Sequence, residues 1–480
     1  MKFDKLIFQN HFEKLGEDFF TKVLPTPLKN SRIIASSKDA AQLIDLDAKE
    51  ISNKKFLDAI TAKKPHPQFC HLSQLYAGHQ FGHYVPQLGD GRANLLAQIK
   101  NKKNESWDLV LKGCGATPYS RFGDGKAVLR SSIREFLISE SMFHLGIPTS
   151  RALCLIASKD FAVRETIEPA AQIIRMAQSH IRFGTFEIFF YRKQNEQIKI
   201  LADYVMAKNF PEAKNNYADF LMIVVESTAK LFAKWQAFGF CHGVLNTDNM
   251  SILGITFDYG PFGFLNEYNP HHICNHSDHS GRYSFANQPM IGLWNLHAFA
   301  ITLSSLISPE KQKEILENYE KIFYSNYYDL MARKIGFVSA NADVIKLVHD
   351  ILKLLEEHKI DYTFFFRNLA GDEKIILALS KEVSWHEKLL LWLKAYKNML
   401  CEFKIKDEAR RKIMNESNPK YILRNNLLQI AIEKAGADDF SEIEKLQKIM
   451  EEPFLEQKKN EAYASLTPES ARDIMISCSS

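Results

Sequence analysis

Residues 242–260 read HGVLNTDNMSILGITFDYG, and this stretch decides how the rest of the chain is interpreted. Asp248 and Asn249 stand side by side before an apolar run that ends at Asp258. We expect the run to form two short paired strands that bring the side-chain oxygens of Asn249 and Asp258 together. Such oxygens suit Mg²⁺, which takes one or two protein ligands beside substrate phosphates. The alternative is a plain hairpin in which a buried Asp caps a turn.

The spacing of this stretch is typical of a kinase catalytic loop followed by a metal-binding Asp. His242 leads and Asn249 follows seven residues later, as in the motif H-R-D-L-x-x-x-N. One position departs from that motif. Val244 stands where a kinase carries its catalytic Asp, and the acid is found at Asp248 instead.

The composition is that of an ordinary globular protein of one to three domains. The net charge of the 480 residues is only +4, so we expect no nucleic acid and no anionic membrane as the main partner. No apolar run is long enough for a membrane-spanning helix. The N-terminus mixes acids and bases without the apolar region of a signal peptide, which predicts a cytoplasmic protein.

The seven cysteines are scattered and form no CxxC pair, so a disulfide framework or a cysteine-rich zinc site is not expected. Residues 269–288 hold four histidines and Cys274, but their crowding fits a zinc site poorly. A loop after the active site, with Cys274 accessible, is the preferred interpretation. Cys478 lies in a Ser-rich tail, where a thiol is either incidental or part of a reversible redox switch.

A glycine-rich segment, Gly89-Asp90-Gly91-Arg92, separates two apolar runs within residues 84–99. This pattern predicts a tight β-hairpin turn. It also permits a second interpretation, in which backbone N–H groups approach a phosphate and the Arg92 guanidinium adds a charged fork.

A buried type of strand at residues 108–112 ends in Lys112, and a loop at 113–125 ends in Gly123-Asp124-Gly125. A helix is predicted from about residue 128 to 144, with Glu135 away from its apolar face. A glycine-rich hairpin, a strand-end lysine and a helix with a glutamate follow one another in the N-terminal lobe of kinases. There a Lys–Glu ion pair holds the lysine on the nucleotide phosphates.

Two arginines, Arg175 and Arg182, lie within residues 170–190. Seven residues are close to two helical turns, so a helix would project both guanidinium groups from one side. Such a pair is either a solvated surface or a phosphate clamp. From about residue 200 the pattern is mainly helical, and residues 220–238 predict a long amphipathic helix.

Taken together, these stretches resemble the selenoprotein O family, the pseudokinase-like protein adenylyltransferases. The resemblance covers nearly the whole chain. It is carried by YAGHQFGHYVPQLGDGRA (76–93), LKGCGATPYSRFGDGKAVLRSSIREF (111–136), SHIRFGTFE (179–187), HGVLNTDNMSILGITFDYGPFGF (242–264), CNHSD (274–278) and NPKYILRNN (418–426).

The resemblance implies an α+β, kinase-like fold of two lobes that binds ATP in a reversed orientation. Members transfer AMP to Ser, Thr or Tyr hydroxyls of proteins, here expected to be redox-related proteins, and some uridylylate proteins with Mn²⁺. Diphosphate leaves, and charge develops on the β- and γ-phosphates. The implied division is an N-terminal extension at 1–65, an N-lobe at 66–200 and a helical C-lobe at 201–480.

The resemblance also assigns roles to residues of this chain. Asp248 would accept the proton, and Lys112 would bind phosphate and pair with Glu135. Asn249 and Asp258 would hold Mg²⁺ or Mn²⁺, and Cys478 would form a disulfide with Cys274. The residues implied to contact ATP are Gly89, Gly91, Arg92, Lys112, Asp124, Gly125, Arg175, Arg182 and Asp258.

Two other functions fit parts of the same pattern. One is a γ-phosphoryl kinase, against which Val244 argues. The other is a non-catalytic pseudokinase scaffold, which would not need metal ligands at Asn249 and Asp258.

Overall fold

The protein is described from a computed structural model, which covers residues 1–472, 474 and 476. Its first part is built on antiparallel strands, and the part after residue 183 is mainly helical. This arrangement confirms the mixed α and β content and the mainly helical second half that the sequence predicts.

Most strands lie in the first part of the described chain, and most helices lie in the second. The strands are β1 (Ile7–Phe8), β2 (Phe20–Lys22), β3 (Arg32–Ser36), β4 (Leu72–Gln74), β5 (Gly78–Gln80), β6 (His83–Val85), β7 (Ala93–Lys100), β8 (Ser106–Lys112), β9 (Ala127–Val128), β10 (Arg151–Val163), β11 (Ile167–Ala177), β12 (Phe240–Cys241) and β13 (Gly263–Phe264). The helices are α1 (Lys38–Leu43), α2 (Ala48–Ile51), α3 (Lys54–Ile60), α4 (Leu129–His144), α5 (Phe183–Tyr191), α6 (Asn195–Asn209), α7 (Tyr217–Phe238), α8 (Gln288–Thr302), α9 (Pro309–Leu316), α10 (Asn318–Lys334), α11 (Ala342–Glu357), α12 (Tyr362–Asn368), α13 (Glu373–Leu377), α14 (Val383–Glu402), α15 (Asp407–Ser417), α16 (Asn425–Gly436) and α17 (Ser441–Met450).

Nine of these strands form one antiparallel sheet. Its order is β2-β4-β7-β8-β11-β10-β3, with β1 added to β7 and β9 added to β11. Side chains along a strand alternate between the two faces of a sheet. On β8, Val110 therefore joins the large core shared with α4, and Leu109 and Leu111 join a second core under α1, α2 and α3.

The first 65 residues, which the resemblance implies to be an N-terminal extension, belong to the main sheet and its packing. They supply β1, β2 and β3 to the sheet, and α1, α2 and α3 cover its outer face. Short strands with partners remote in sequence carry little periodicity of their own, which is why this segment was hard to predict. The domain boundaries at residues 65 and 200 stay predictions.

Helix α4 fits its prediction closely. Its apolar side packs Ile133, Phe136 and Leu137 into the large core. The helix ends before Gly146, whose φ of +73° is the left-handed conformation that glycine adopts at helix ends. Glu135 lies on the side of α4 that faces β8, where it is also buried.

Helix α7 confirms the predicted long amphipathic helix and leads the chain to the stretch at residues 242–260. The Asn216 side chain accepts a hydrogen bond from the backbone N–H of Ala218, which caps its first turn. Gly239, with φ of +68°, ends it, and β12 follows directly. No helix in the part of the chain that the structure describes is long and apolar enough to cross a membrane.

Candidate active site

An open cleft of about 720 Å³ gathers most of the residues that the sequence singles out. Glu135 does not line the cleft, but its carboxylate binds Lys112, and Lys112 does line the cleft. The predicted residues that line the cleft are Gly89, Gly91, Arg92, Lys112, Asp124, Gly125, Arg175, Arg182, Asp248, Asn249 and Asp258.

A second cavity, of about 500 Å³, lies among the helices of the second half and contains none of these residues. Its cations already have acidic partners. Arg367 and Lys420 both bind Glu456, and Arg424 binds Asp361. The predicted chemistry therefore belongs to the larger cleft.

The two glycine-rich segments lie against each other at this cleft, and the prediction of a hairpin turn at the first one is wrong. Gly89–Arg92 joins β6, which forms a separate two-stranded sheet with β5, to β7, which belongs to the large sheet. Both segments need glycine. A Cβ on Gly89 would lie 2.4 Å from the Tyr119 ring, and one on Gly125 would lie 1.9 Å from the carbonyl oxygen of Gly115.

Hydrogen bonds fix the two segments to each other and to the sheet. The Thr117 hydroxyl donates to the carbonyl oxygen of Asp90 at 2.7 Å, so the second segment holds the first. Arg164, on the turn between β10 and β11, binds the Asp124 carboxylate at 3.0 and 3.2 Å. Asp124 is therefore engaged with protein groups through its side chain.

A cluster of four charges lies at the base of the cleft, and all but Glu135 line the cleft itself. Lys112 Nζ lies 2.9 Å from Glu135 Oε1 and 3.0 Å from Asp258 Oδ1. Arg182 Nη1 lies 2.9 Å from Asp258 Oδ2. Burial would raise the pKa of Asp258, but the charges of Lys112 and Arg182 hold that pKa well below its ordinary range. Asp258 is therefore a permanent carboxylate, and 28% of its side-chain surface remains exposed.

The two predicted arginines both reach the cleft, but not from one face of a helix. Arg175 is on β11, and Arg182 is the residue before α5. The strand is extended over this region because β11 pairs with both β8 and β10. The prediction that a helix projects both guanidinium groups from one side is therefore wrong.

The two arginines also differ in what they bind. Arg175 is buried, and its guanidinium donates to the hydroxyls of Ser139 and Ser150 and lies 3.5 Å from Glu135 Oε1. Arg182 donates to Asp258 and, at 2.6 Å, to the carbonyl oxygen of Asp248. Arg175 thus supports Glu135, which is the partner of Lys112. Arg182 instead contacts Asp248 and Asp258 directly.

The apolar run between Asn249 and Asp258 does not fold as a paired hairpin. Ser251 bridges to Arg182, and Thr256 bridges to Thr149. The run is thus clamped between the residue before α5 and the segment after α4. This clamp fixes the approach to Asp258 by partners that are remote in sequence.

His242, which leads the stretch, is a buried structural residue. Its ring stacks on Trp235, with centroids 5.3 Å apart, and burial lowers its pKa to about 4. It is therefore neutral at pH 7. Its Nδ1 accepts a hydrogen bond from the backbone N–H of Val244 at 3.3 Å, which shapes the loop ahead of Asp248.

Asp248 and Asn249 lie on a 3-10 turn, Thr247–Asn249. Burial raises the pKa of Asp248 to about 7, and Gln80 Nε2 donates to its Oδ2 at 3.3 Å. Asn249 donates through Nδ2 to the carbonyl oxygen of Val244 at 3.0 Å. That bond orients the amide and leaves the Asn249 oxygen available as a ligand.

Cys274 is buried, so the expectation of an accessible thiol is wrong. Its Sγ donates to the carbonyl oxygen of Cys241 at 3.4 Å, and burial raises its pKa well above the ordinary value. Cys478 lies outside the described residues. Ile476 is described, and its carbonyl oxygen accepts a hydrogen bond from the backbone N–H of His276 at 3.0 Å.

Sequence reasoning missed several residues that line the cleft or support it. Gln80 binds Asp248, Arg164 binds Asp124, and Asp90 accepts a hydrogen bond from the backbone N–H of Gln74 at 3.0 Å. Gln80 stands inside YAGHQFGH, a stretch used for the family resemblance without a role being given to it. The functional signal there was its polar, glycine-flanked composition.

Comparison with known proteins gives a consistent result. The family profile described as "Protein adenylyltransferase SelO" matches residues 2–451. A protein of Pseudomonas fluorescens strain SBW25 named "Protein nucleotidyltransferase YdiU" is 48% identical over 484 residues, which cover 99% of both chains. Proteins of the same name from P. fluorescens strain Pf-5 and from Pseudomonas putida are 47% and 46% identical, again over 99% of both chains. The chain therefore belongs to the SelO family of protein adenylyltransferases.

Proposed function

We propose that the protein transfers AMP from ATP to Ser, Thr or Tyr hydroxyls of other proteins and releases diphosphate. Family membership and the printed names of the relatives support a nucleotidyltransferase that acts on proteins. The observation that carries the proposal is that Lys112, Arg182 and Asp258 line one cleft with both glycine-rich segments, with Glu135 paired to Lys112.

ATP is proposed to bind with its phosphates on this cluster, within a kinase-like fold of two lobes. Lys112 would contact phosphate and keep Glu135 as its partner, and Arg182 would add a fixed guanidinium. Gly89, Gly91 and Gly125 would let backbone N–H groups approach the nucleotide, with Arg92 and Asp124 beside them. Reversed binding of ATP would direct its β- and γ-phosphates to the buried cations.

The proposed reaction is an attack on the α-phosphorus. The acceptor oxygen forms a bond to that phosphorus, the bond from it to the bridging oxygen breaks, and diphosphate leaves with the bonding electrons. The hydroxyl proton passes to the Asp248 carboxylate. Arg182 would counter the charge that grows on the leaving diphosphate, which is the usual source of acceleration in such transfers.

Asn249 and Asp258 fit a divalent cation by their chemistry. They offer one amide oxygen and one permanent carboxylate, which suits a hard ion that keeps several waters and binds substrate phosphates. We propose that these two residues hold Mg²⁺ or Mn²⁺, which would neutralise phosphate charge when bound.

A regulatory disulfide between Cys274 and Cys478 forms part of the same proposal. The hydrogen bond between His276 and Ile476 supports it, because each of these residues is two positions from one of the cysteines. The burial of Cys274 means that its thiol must become exposed before an oxidant can reach it. In a reducing cytoplasm, the location we propose, such a bridge is regulatory and not permanent.

Labelling distinguishes this function from its rivals. The protein is incubated with Mg²⁺ and either α-labelled ATP, γ-labelled ATP or α-labelled UTP, alone and with a lysate enriched in redox proteins. We expect label on protein from α-labelled ATP and an adenylyl mass increment. Label from γ-labelled ATP would indicate a kinase, and label from no nucleotide, despite ATP binding, would indicate a scaffold.

A further inference from the structure

A buried carboxylate supports the turn that carries Asp248 and Asn249. Glu187 of α5 has no exposed side-chain surface. Its Oε2 accepts a hydrogen bond from the Thr247 hydroxyl at 3.0 Å and lies 3.1 Å from His79 Nδ1. The backbone N–H of His79 in turn donates to the same Thr247 hydroxyl at 2.7 Å. The three residues close a ring of hydrogen bonds.

This carboxylate is costly to bury, because no Lys or Arg forms an ion pair with Glu187 among the residues that the structure describes. An apolar residue would fill the space without that cost. The bonds that Glu187 makes all end on the Thr247 turn or on the strand β5 beside it. The geometry therefore indicates that the carboxylate fixes these two elements relative to each other.

Strand β5 is the wall against which Asp248 rests. A Cβ added to Gly78 would lie 2.8 Å from Asp248 Oδ1, so the strand and the carboxylate are in close contact. Two residues along, Gln80 donates to Asp248 Oδ2. A shift of β5 relative to the turn would therefore displace the Asp248 side chain.

We propose that His79, Glu187 and Thr247 are positioning residues that fix the place of Asp248 and Asn249 relative to the bound nucleotide. The role rests on the proposed adenylyl transfer and deepens it, because it assigns a function to part of YAGHQFGH and to Glu187. None of the three touches the reacting atoms in this scheme. They act through the backbone of the turn Thr247–Asn249.

The test uses substitutions that keep the shape of the side chain. Thr247→Val removes the hydroxyl at almost constant volume, and Thr247→Ser keeps it. Misplacement of reacting groups by about 1 Å can cost 100-fold in rate, so we expect kcat of Thr247→Val to fall by about 10- to 100-fold. ATP affinity should stay within about twofold of wild type, because Lys112 and Arg182, which are proposed to bind the phosphates, are unchanged. Thr247→Ser should restore most of the lost rate.

A matched control makes the same chemical change elsewhere. Thr228 on α7 is fully buried, and its hydroxyl makes no hydrogen bond in the described part of the chain. Thr228→Val should leave kcat unchanged. If Thr247→Val does not fold, His79→Phe keeps the ring contacts with Tyr84 and Trp294. It removes the bond from the ring to Glu187 and a longer one, of 3.4 Å, to the Tyr191 hydroxyl. It should likewise lower kcat.

The assay follows AMP transfer by the full-length protein, with circular dichroism to verify folding. Wild-type kcat in folded Thr247→Val, or an equal loss of rate and ATP affinity, would overturn the positioning role. A wild-type protein that transfers no AMP would instead refute the proposed function itself, so the two failures are distinguishable.

Discussion

Lys112 and Asp258 are bound to each other, with Nζ 3.0 Å from Oδ1. The lysine proposed to hold phosphate and the aspartate proposed to hold metal are thus one ion pair, and Arg182 completes it from the other carboxylate oxygen. A divalent cation held by Asp258 would share the carboxylate with Lys112 and Arg182. Substitution of Asp258 therefore removes a proposed metal ligand and leaves two cations without their common partner.

The first prediction concerns Asp258→Asn and Asp258→Ala. Both should abolish AMP transfer, because neither provides a charged ligand for the metal. Asp258→Ala should also reduce the free energy of unfolding by roughly 3 kcal/mol, the low end for breaking a buried pair. Asp258→Asn retains an oxygen that can accept from Lys112 or Arg182 and should lose less stability. Urea unfolding and α-labelled ATP measure the two effects, and robust transfer by folded Asp258→Asn would contradict the metal assignment.

The second prediction separates the two arginines. Arg182→Ala should weaken ATP binding by about 2–4 kcal/mol, the usual cost of a lost charge-assisted bond in a site. AMP lacks the β- and γ-phosphates, so its affinity should change much less. Arg175→Ala should chiefly lower stability, because the Arg175 guanidinium is engaged with Ser139, Ser150 and Glu135. Calorimetric titration measures the affinities for ATP and AMP. An equal loss of affinity for both nucleotides in Arg182→Ala would argue against reversed binding.

The sequence predicts the local features of this site and misses those that depend on remote partners. The strand ending at Lys112, helix α4 with Glu135, and the order of both before Asp258 follow from periodicity and glycine spacing. The conformation around Arg175 could not be read in this way, because β11 is extended only through its pairing with β8 and β10. Glu187 was also missed, since its partners His79 and Thr247 are far from it in sequence and no local pattern marks the contact.

The burial of Cys274 is a second feature that the local sequence does not predict. Polar neighbours such as His271 and His276 suggested an exposed loop around Cys274. The thiol is instead buried against β12 beneath Gly243, where an added Cβ would lie 2.6 Å from Sγ. Loop composition reports on the average exposure of a segment but not on the one side chain that turns inward.

The third prediction addresses the redox proposal. In native protein, iodoacetamide should modify Cys401, which is exposed, much faster than Cys274, because the Cys274 thiol is buried and its pKa is raised. After oxidation, non-reducing peptide mapping should recover a Cys274–Cys478 crosslink, and activity should rise again when dithiothreitol is added. Cys401→Ser is the control and should behave as wild type. Failure to find the crosslink, or activity that does not respond to its reduction, would contradict the proposal.

The fourth prediction uses Lys334, a buried lysine at the end of α10. Burial lowers its pKa to about 7, and no ion pair involves it among residues 1–472. Its Nζ lies 5.8, 5.2 and 4.8 Å from the ring centres of Phe238, Tyr362 and Phe366, which attract the ammonium group and offset part of the burial cost.

The sign of the pH effect follows from the two pKa values. The unfolded chain takes up its proton below about pH 10.5, whereas the folded protein does so only below about pH 7. Between these values the unfolded state binds more protons, so this group makes the folded state more stable as pH rises from 7 to 10. The pKa falls from 10.5 to about 7, and each pKa unit is worth about 1.4 kcal/mol. The free energy of unfolding of Lys334→Met at pH 7 should therefore exceed that of wild type by roughly 4 kcal/mol. The difference should shrink toward pH 10.

Urea unfolding of both proteins between pH 7 and pH 10 measures this difference. A difference that does not vary with pH, or a Lys334→Met protein less stable than wild type at pH 7, would contradict the prediction.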